Sequence, residues 1–330
     1  MVKFRQQILS CTFFALLLLL LGCSHKEEQP VQTPTSMGYQ VVDAVGRMIE
    51  LEGKPCRIVS LTYGTDELLT DLVGSRRIVG YSRWAGNEGI TFVTKEQAHK
   101  VGCRVEENVE KILLLKPDLV FASISASKEF IQTLEDLEVK VYQVANPDSF
   151  EEMRLKVLGV AQAVGELEKG RRLVEVMDSR LSSLQHRLSY LKEEEKKVAL
   201  AFGFEAAIGR RGGLLDDMLT KAQVINGVSL LPEDLATNHI SKEQVVKINP
   251  DILLLPTWNY DAKHDIGDYY KDILYDPAYR DINAIKKNQI KFINDKYRYV
   301  NSHHVIDAIE NISRSVYPQL FRGENDERKI

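Results

Sequence analysis

The apolar pattern of this chain changes period several times, and each change marks a segment. The first segment is a continuous apolar run from Ile8 to Leu21, preceded by Lys3 and Arg5 and closed by Gly22-Cys23. It is too short to cross a bilayer comfortably as a helix and suits the core of a signal peptide. From Ser24 to about Met37 the chain is polar, with Pro30 and Pro34 among Thr, Ser and Gln, the composition of a flexible tether. Beyond it, short β-rich runs alternate with helical periodicity. Arg57–Leu61, Arg77–Tyr81, Asp118–Ala122 and Lys140–Val144 are predicted strands, and Thr65–Val73 and Lys128–Leu137 predicted helices. That alternation describes an α/β domain with a largely parallel sheet.

Between Ser149 and about Lys197 the strand signal disappears. Ser149 and Glu152 read as a capping box, and apolar positions then recur at helical spacing through Leu173, Val176, Leu181, Leu184, Leu188 and Leu191. A helix this long inside an α/β chain predicts a rigid strut between two lobes. Strands resume at Val198–Phe202, Ile252–Leu255 and Ile290–Ile293.

The two flanks of the strut repeat each other. Asn108-Val109-Glu110 through Lys116-Pro117-Asp118-Leu119-Val120 matches Ser241-Lys242-Glu243 through Asn249-Pro250-Asp251-Ile252-Leu253. Each carries an N-cap, a Glu two residues on, an amphipathic helix, Pro-Asp and a buried strand. Asp66-Glu67-Leu68-Leu69-Thr70 is echoed by Asp216-Asp217-Met218-Leu219-Thr220. Two lobes of like topology with a ligand cleft between them follow from such a repeat.

Composition narrows the function. The chain has 330 residues, 44% of them hydrophobic, and a net charge of −4. This fits a globular protein of about two domains and offers no basic field for nucleic acid. Cys11 leaves with the signal segment. Cys56 and Cys103 then remain in an export compartment, and the sequence leaves open whether they pair or stay separate buried thiols.

Leu20-Leu21-Gly22-Cys23 looks like a bacterial lipobox, in which Cys23 becomes the first residue and carries a diacylglyceryl group. The mature chain, from about Tyr39 to Phe321, resembles the ABC-importer solute-binding proteins for vitamin B12, ferric siderophores and haem. The resemblance rests on Val42-Asp43-Ala44-Val45-Gly46-Arg47, Arg57–Leu61, the segments Asn108–Val120 and Ser241–Leu254, and Pro277–Lys287 followed by Ile290-Lys291-Phe292-Ile293. It implies two Rossmann-like α/β lobes of similar topology joined by one long helix, with the ligand cleft between them. The expected division is a signal peptide over 1–22 and a lipid-anchored tether over 23–38. A first lobe over 39–165, a bridging helix over 166–195 and a second lobe over 196–330 complete it. The implied partners are an ABC permease dimer with its ATPase, a metal-chelate small molecule, and a membrane met only through the lipid anchor, cell membrane or outer membrane. Nucleic acid is not among them, and a monomer is expected.

Glu110 and Glu243 are at the positions where this family pairs glutamates with permease arginines, although a first-turn Glu also simply favours the helix dipole. Ligand contacts are expected from the loops after the carboxyl ends of the strands. Those loops hold Tyr63, Arg83, Trp84, Arg104 and Ser123 in the first lobe, and Phe204, Arg210, Arg211, His239, Trp258 and Tyr260 in the second. Tyr297 joins them because the family often has an aromatic there. Aromatic faces would pack on a flat chelate and arginines would pair with its negative charge. Each aromatic is equally suited to anchoring its own loop.

Ile208-Gly209-Arg210-Arg211-Gly212-Gly213 lacks the Gly-Lys-Ser/Thr of a phosphate loop and reads as a tight turn displaying arginines. His303-His304 stands near a helix start, where adjacent side chains diverge, so no shared ion is expected. No cofactor, resident metal or catalytic residue is expected. The favoured cargo is an iron chelate, siderophore or haem, with a corrinoid as the alternative. An envelope hydrolase would need a Gly-x-Ser-x-Gly or zinc-helix motif, neither of which is present. A ligand sensor for a membrane kinase is the third reading.

Overall fold

The computed structural model describes residues 38–204, 207–235, 240–258 and 265–322. The signal segment, the tether with Cys23, and His239 and Tyr260 lie outside the described residues.

A hairpin of β1 (Tyr39–Val42) and β2 (Met48–Leu51) opens the described chain. Its turn explains the Asp43 to Arg47 motif. Gly46 takes a left-handed φ of 82°, while Asp43 accepts the Val45 and Arg47 amides and pairs with the Arg47 guanidinium at 2.7 Å.

Two sheets follow, the first all-parallel and the second parallel apart from one short strand. The first is built from β3 (Ile58–Ser60), β4 (Ile78–Ser82), β5 (Arg104–Val105), β6 (Leu119–Ser123) and β7 (Val141–Val144), in the order β5-β4-β3-β6-β7. The second uses β8 (Val198–Phe202), β10 (Ile225–Asn226), β11 (Ile252–Leu255) and β12 (Ile290–Phe292), in the order β10-β8-β11-β12, with β9 (Ala207–Ile208) antiparallel on β8. Aligning β3, β4, β6 and β7 with β8, β10, β11 and β12 gives one strand order used twice. Strands β7 and β11 are buried at every position, as covered parallel sheets require.

The repeated residues have matching jobs. Helix α1 (Tyr63–Leu72) follows β3, and its Asp66 accepts the backbone N–H of Ser82 at the end of β4 (3.1 Å). In the second half, α7 (Leu214–Lys221) carries Asp216, which accepts from Asn226 at the end of β10 (2.8 Å). The Asp of each Pro-Asp pair clamps the start of the neighbouring strand. Asp118 accepts from Cys56 and Arg57, and Asp251 accepts from Val198. Asn108 and Ser241 cap α3 (Val109–Leu114) and α8 (Lys242–Ile248) with their side chains.

The segment from Ser149 forms two helices, α5 (Phe150–Ala163) and α6 (Leu167–Leu188), separated at Gly165, whose φ is 70°. Ser149 accepts the Glu152 amide, whereas Glu152 reaches the Asp148 N–H instead of closing on Ser149. The long helix ends at Leu188; Glu193–Glu195 is a separate 3-10 turn, so helical spacing overran the true end. Val174, Met177, Leu181, Leu184 and Leu188 of α6 bury one stripe. They join a continuous core that includes Leu68 and Phe121 of the first half and Ala199 and Ile309 of the second. Smaller cores lie on the outer face of each sheet. Cys56 and Cys103 are both free.

Candidate functional site

The carboxyl ends of the two sheets face one seam. Helix α1 lines it with Tyr63, Glu67 and Asp71, one residue per turn. Each meets a successive part of the segment Tyr299–His304, which leads into α12 (Val305–Val316). Tyr63 Oη donates to the Tyr299 carbonyl at 2.7 Å, Glu67 accepts from Ser302 Oγ, and Asp71 meets His303 Nε2 at 2.8 Å. Gly64 makes this approach possible, since a Cβ there would stand 2.1 Å from the Asn301 carbonyl oxygen. On the other side of the segment, Lys156 of α5 donates to the Asn301 carbonyl (3.0 Å) and side chain (2.7 Å). Burial pushes the Lys156 ammonium down to about 7.

Above this zipper the two tryptophans of the chain meet. Trp84 follows β4 and Trp258 follows β11; their rings pack edge to face with centroids 5.7 Å apart. Each backbone is held by a buried carboxylate. Asp66 accepts from Ser82 Oγ, and Ser82 Oγ accepts the Trp84 amide at 3.3 Å. Asp295 accepts the Thr257 and Trp258 amides, both at 2.9 Å. Asp295 lies in α11 (Asp295–Arg298) and pairs at 2.9 Å with Arg298, which also donates to the Phe202 carbonyl at the end of β8. Burial raises both carboxyls, Asp66 to about 7. Trp258 also packs directly on Gly89, where a Cβ would lie 2.2 Å from its ring.

Of the predicted ligand residues, the structure brings together Trp84, Trp258 and Arg83, whose guanidinium lies 4.3 Å over the Trp84 ring. Arg83 is half-exposed, with Glu106 at 3.5 Å. Arg210 reaches across the seam to Asp148 at 2.5 Å. Tyr63 is in the zipper, and Tyr297 stands against Phe92 at 5.3 Å. The rest serve their own half. Arg104 donates to the Ala85 and Cys103 carbonyls, and Arg211 to those of Ser229 and Leu231. Ser123 ends β6 and accepts the Ser125 amide, and Phe204 packs on Tyr269 at 5.0 Å.

Glu110 and Glu243 are exposed in the first turns of α3 and α8. Sequence reasoning missed Asp66, Glu67, Lys156, Asp295 and Arg298 as seam residues; Asp66 and Glu67 had a signal, their echo in Asp216 and Asp217. The expected divergence of His303 and His304 is not seen, although they stand near a helix start as read. The pair precedes α12 in a turn, and the rings lie side by side with centroids 4.2 Å apart. A cavity of about 430 Å³, lined by Lys54, Pro55, Pro117, Asp118 and Lys140, opens at the opposite end of the first sheet, where its strands begin.

A site of aromatic faces and cations between two α/β lobes is suited to holding a solute. Residues 58–297 match the family model described as periplasmic binding protein, and the chain belongs to that family. This places it among the substrate-binding proteins of ABC transporters, which bind solutes and are not enzymes. A Bacillus subtilis lipoprotein named as an uncharacterized ABC transporter substrate-binding protein, YvrC, is 27% identical over 92% of this chain and 95% of its own. The probable siderophore-binding lipoprotein YfiY of the same organism is 22% identical over 86% and 89%. The apo haem-binding protein RhuT of Roseiflexus sp. RS-1 shares the fold with a TM-score of 0.65, at 20% identity over 80% of this chain and 98% of that one.

Proposed function

We propose that this chain captures an iron chelate, a siderophore or haem, outside the cytoplasm and delivers it to an ABC permease dimer. The observation that carries the reading is the Trp84–Trp258 pair, one indole from each lobe, with the Arg83 guanidinium over Trp84. Aromatic faces gain from covering a large flat or aromatic-rimmed ligand, and the guanidinium favours one with carboxylate or catecholate charge. The names of YfiY and RhuT point to the same ligand class. Replacing one edge-to-face contact by ligand costs about 0.5–1.5 kcal/mol beyond area, a small toll against the burial a chelate offers. Because the lobes share one core, closure is limited and the site acts as a nearly preformed clamp.

Glu110 and Glu243, exposed on matched helices, are the proposed contacts to the two permease subunits, with exposed Leu114 and Val246 on the same helices. Cys23 is the proposed lipid anchor and 1–22 the signal peptide that exposes it. The test titrates the detergent-solubilised full chain with ferric catecholate, hydroxamate and citrate chelates, haem and cobalamin. The readouts are tryptophan emission and the ligand's visible band after gel filtration. Saturable quenching and co-elution with a ferric chelate or haem, weakened by Trp84→Ala, supports the reading. Binding of cobalamin alone transfers the chain to the corrinoid carriers, and no binding at all sinks the chelate class.

A further inference from the structure

The segment that closes the seam carries a second cluster, which shares no residue with the tryptophan pair. The Ser302 hydroxyl accepts the His304 amide at 3.2 Å, and the Ser302 carbonyl accepts the Val305 N–H at 3.0 Å. This turn sets the two imidazoles side by side before α12 begins. Opposite them stands Asp71, in the last turn of α1. One ligand atom from each of Asp71, His303 and His304 lies within 4.8 Å of the others.

We infer that Asp71, His303 and His304 form a binding site for a late first-row divalent cation (zinc, cobalt or nickel) that bridges the two lobes. The donor set of two imidazole nitrogens and one carboxylate selects such ions over magnesium or calcium, which prefer all-oxygen shells. Bonds of about 2.0–2.2 Å in a tetrahedral shell need ligand atoms about 3.4 Å apart, so the cluster has about an ångström to adjust.

The surroundings favour an ion. Asp307 Oδ2 holds His304 Nδ1 at 2.6 Å, which leaves Nε2 as the ring's ligating atom and provides the carboxylate behind the histidine that metal sites use. Phe92 stacks on the His304 ring at 4.0 Å and fixes its plane. Charge points the same way. Arg180 pairs with both Asp307 and Glu310, at 2.7 and 2.8 Å, so two carboxylates share one guanidinium behind the His304 ring, while Lys296 lies over Phe92. The negative surplus suits a dication. His303 is 8% exposed and its Nδ1 has no partner among the described residues. The Asp71 side chain is 45% exposed, giving an ion an entry and a face for water as the fourth ligand. Asp71 belongs to the first lobe and both histidines to the second, so a bound ion staples the seam.

The test uses the full chain in detergent, free of any histidine tag and stripped with chelator, titrated with CoCl2. One ligand-field band saturating at one Co2+ per chain is expected, displaced by Zn2+ and accompanied by a higher melting temperature. His304→Ala abolishes the band. Asp71→Asn, which keeps a hydrogen bond to His303, weakens Co2+ binding, and Asp307→Asn weakens it by about tenfold to a hundredfold. Circular dichroism confirms that each variant is folded, and Asp71→Asn keeps the test decisive if His304→Ala is not. Trp84→Ala leaves the band in place, which separates this site from the cargo site. No band in the wild type, or a band unchanged in both His304→Ala and Asp71→Asn, overturns the inference.

Discussion

Asp295→Ala tests how the second indole is held. Asp295 and Arg298 are buried together, with side chains 3% and 1% exposed. Removing the carboxylate leaves a guanidinium in the core with the Phe202 carbonyl as its one hydrogen-bond acceptor among the described residues, a loss of about 3–5 kcal/mol for one partner of a buried pair. The Thr257 and Trp258 amides also lose their acceptor, but both residues are half-buried, and water recovers most of that term. At about 2–4 °C per kcal/mol for a chain of this class, melting falls by about 6–20 °C. The double variant Asp295→Leu/Arg298→Met should recover most of this, because the pair itself contributes little net stability. Burial already raises the Asp295 carboxyl against the charge of Arg298, as expected where desolvation outweighs attraction. The double variant does not restore the seat of Trp258, so its tryptophan emission stays shifted relative to wild type. Thermal melts and emission spectra of the three proteins decide the matter. A melting temperature for Asp295→Ala within about 2 °C of wild type, with unchanged emission, refutes the reasoning.

Lys156 holds its proton less tightly when folded, with a value near 7 against 10.5 when unfolded. Over that window the unfolded chain binds the extra proton, so stability rises with pH, and Lys156→Met loses the rise. Melting curves of the two that stay parallel from pH 7 to 10 contradict this. Asp66 works in the opposite sense. Raised from 3.8 to about 7, it keeps a proton in the fold that the unfolded chain has lost, so its contribution falls as pH climbs through that range. Wild type therefore loses melting temperature relative to Asp66→Asn between pH 4 and 7, and a constant difference would show that the carboxyl is not perturbed. Gly89→Ala puts a methyl 2.2 Å from the Trp258 ring, displacing the indole at a cost of about 1–3 kcal/mol. Its emission should shift; an unchanged spectrum means the ring does not rest there.

Much of the fold could be read from local chemistry. The apolar runs of β6, β7, β8 and β11 are long enough and sufficiently bounded by Pro-Asp, Gly and caps to be found without tertiary information. The repeated Pro-Asp was visible as a pattern, but its cause, a carboxylate clamping the amides at the start of the neighbouring strand, depends on a pairing distant in sequence. The end of α6 was overestimated because Leu191 continues the apolar period after the backbone has left the helix at Leu188. The site was legible only in part. Trp84 and Trp258 stood out as the chain's two tryptophans in loops after strands, but their contact joins residues far apart in sequence. Arg104 and Arg211 carried the same surface signal as Arg83, yet their guanidinium groups turn to carbonyls of their own loops. Asp295, Arg298 and Lys156 gave no signal, because a charged residue in a polar stretch looks solvated until its partner is known. The divergence expected of His303 and His304 assumed that both lie on the helix, which begins only at Val305.

The central claim is that a chelate is held between the lobes at the Trp84–Trp258 pair. Hydrogen–deuterium exchange, with and without a saturating ferric chelate, tests it most directly. Slowed exchange is predicted simultaneously at residues 82–92 after β4 and 256–258 after β11. Protection confined to one lobe, or absent from both segments while the chelate is bound, contradicts the account.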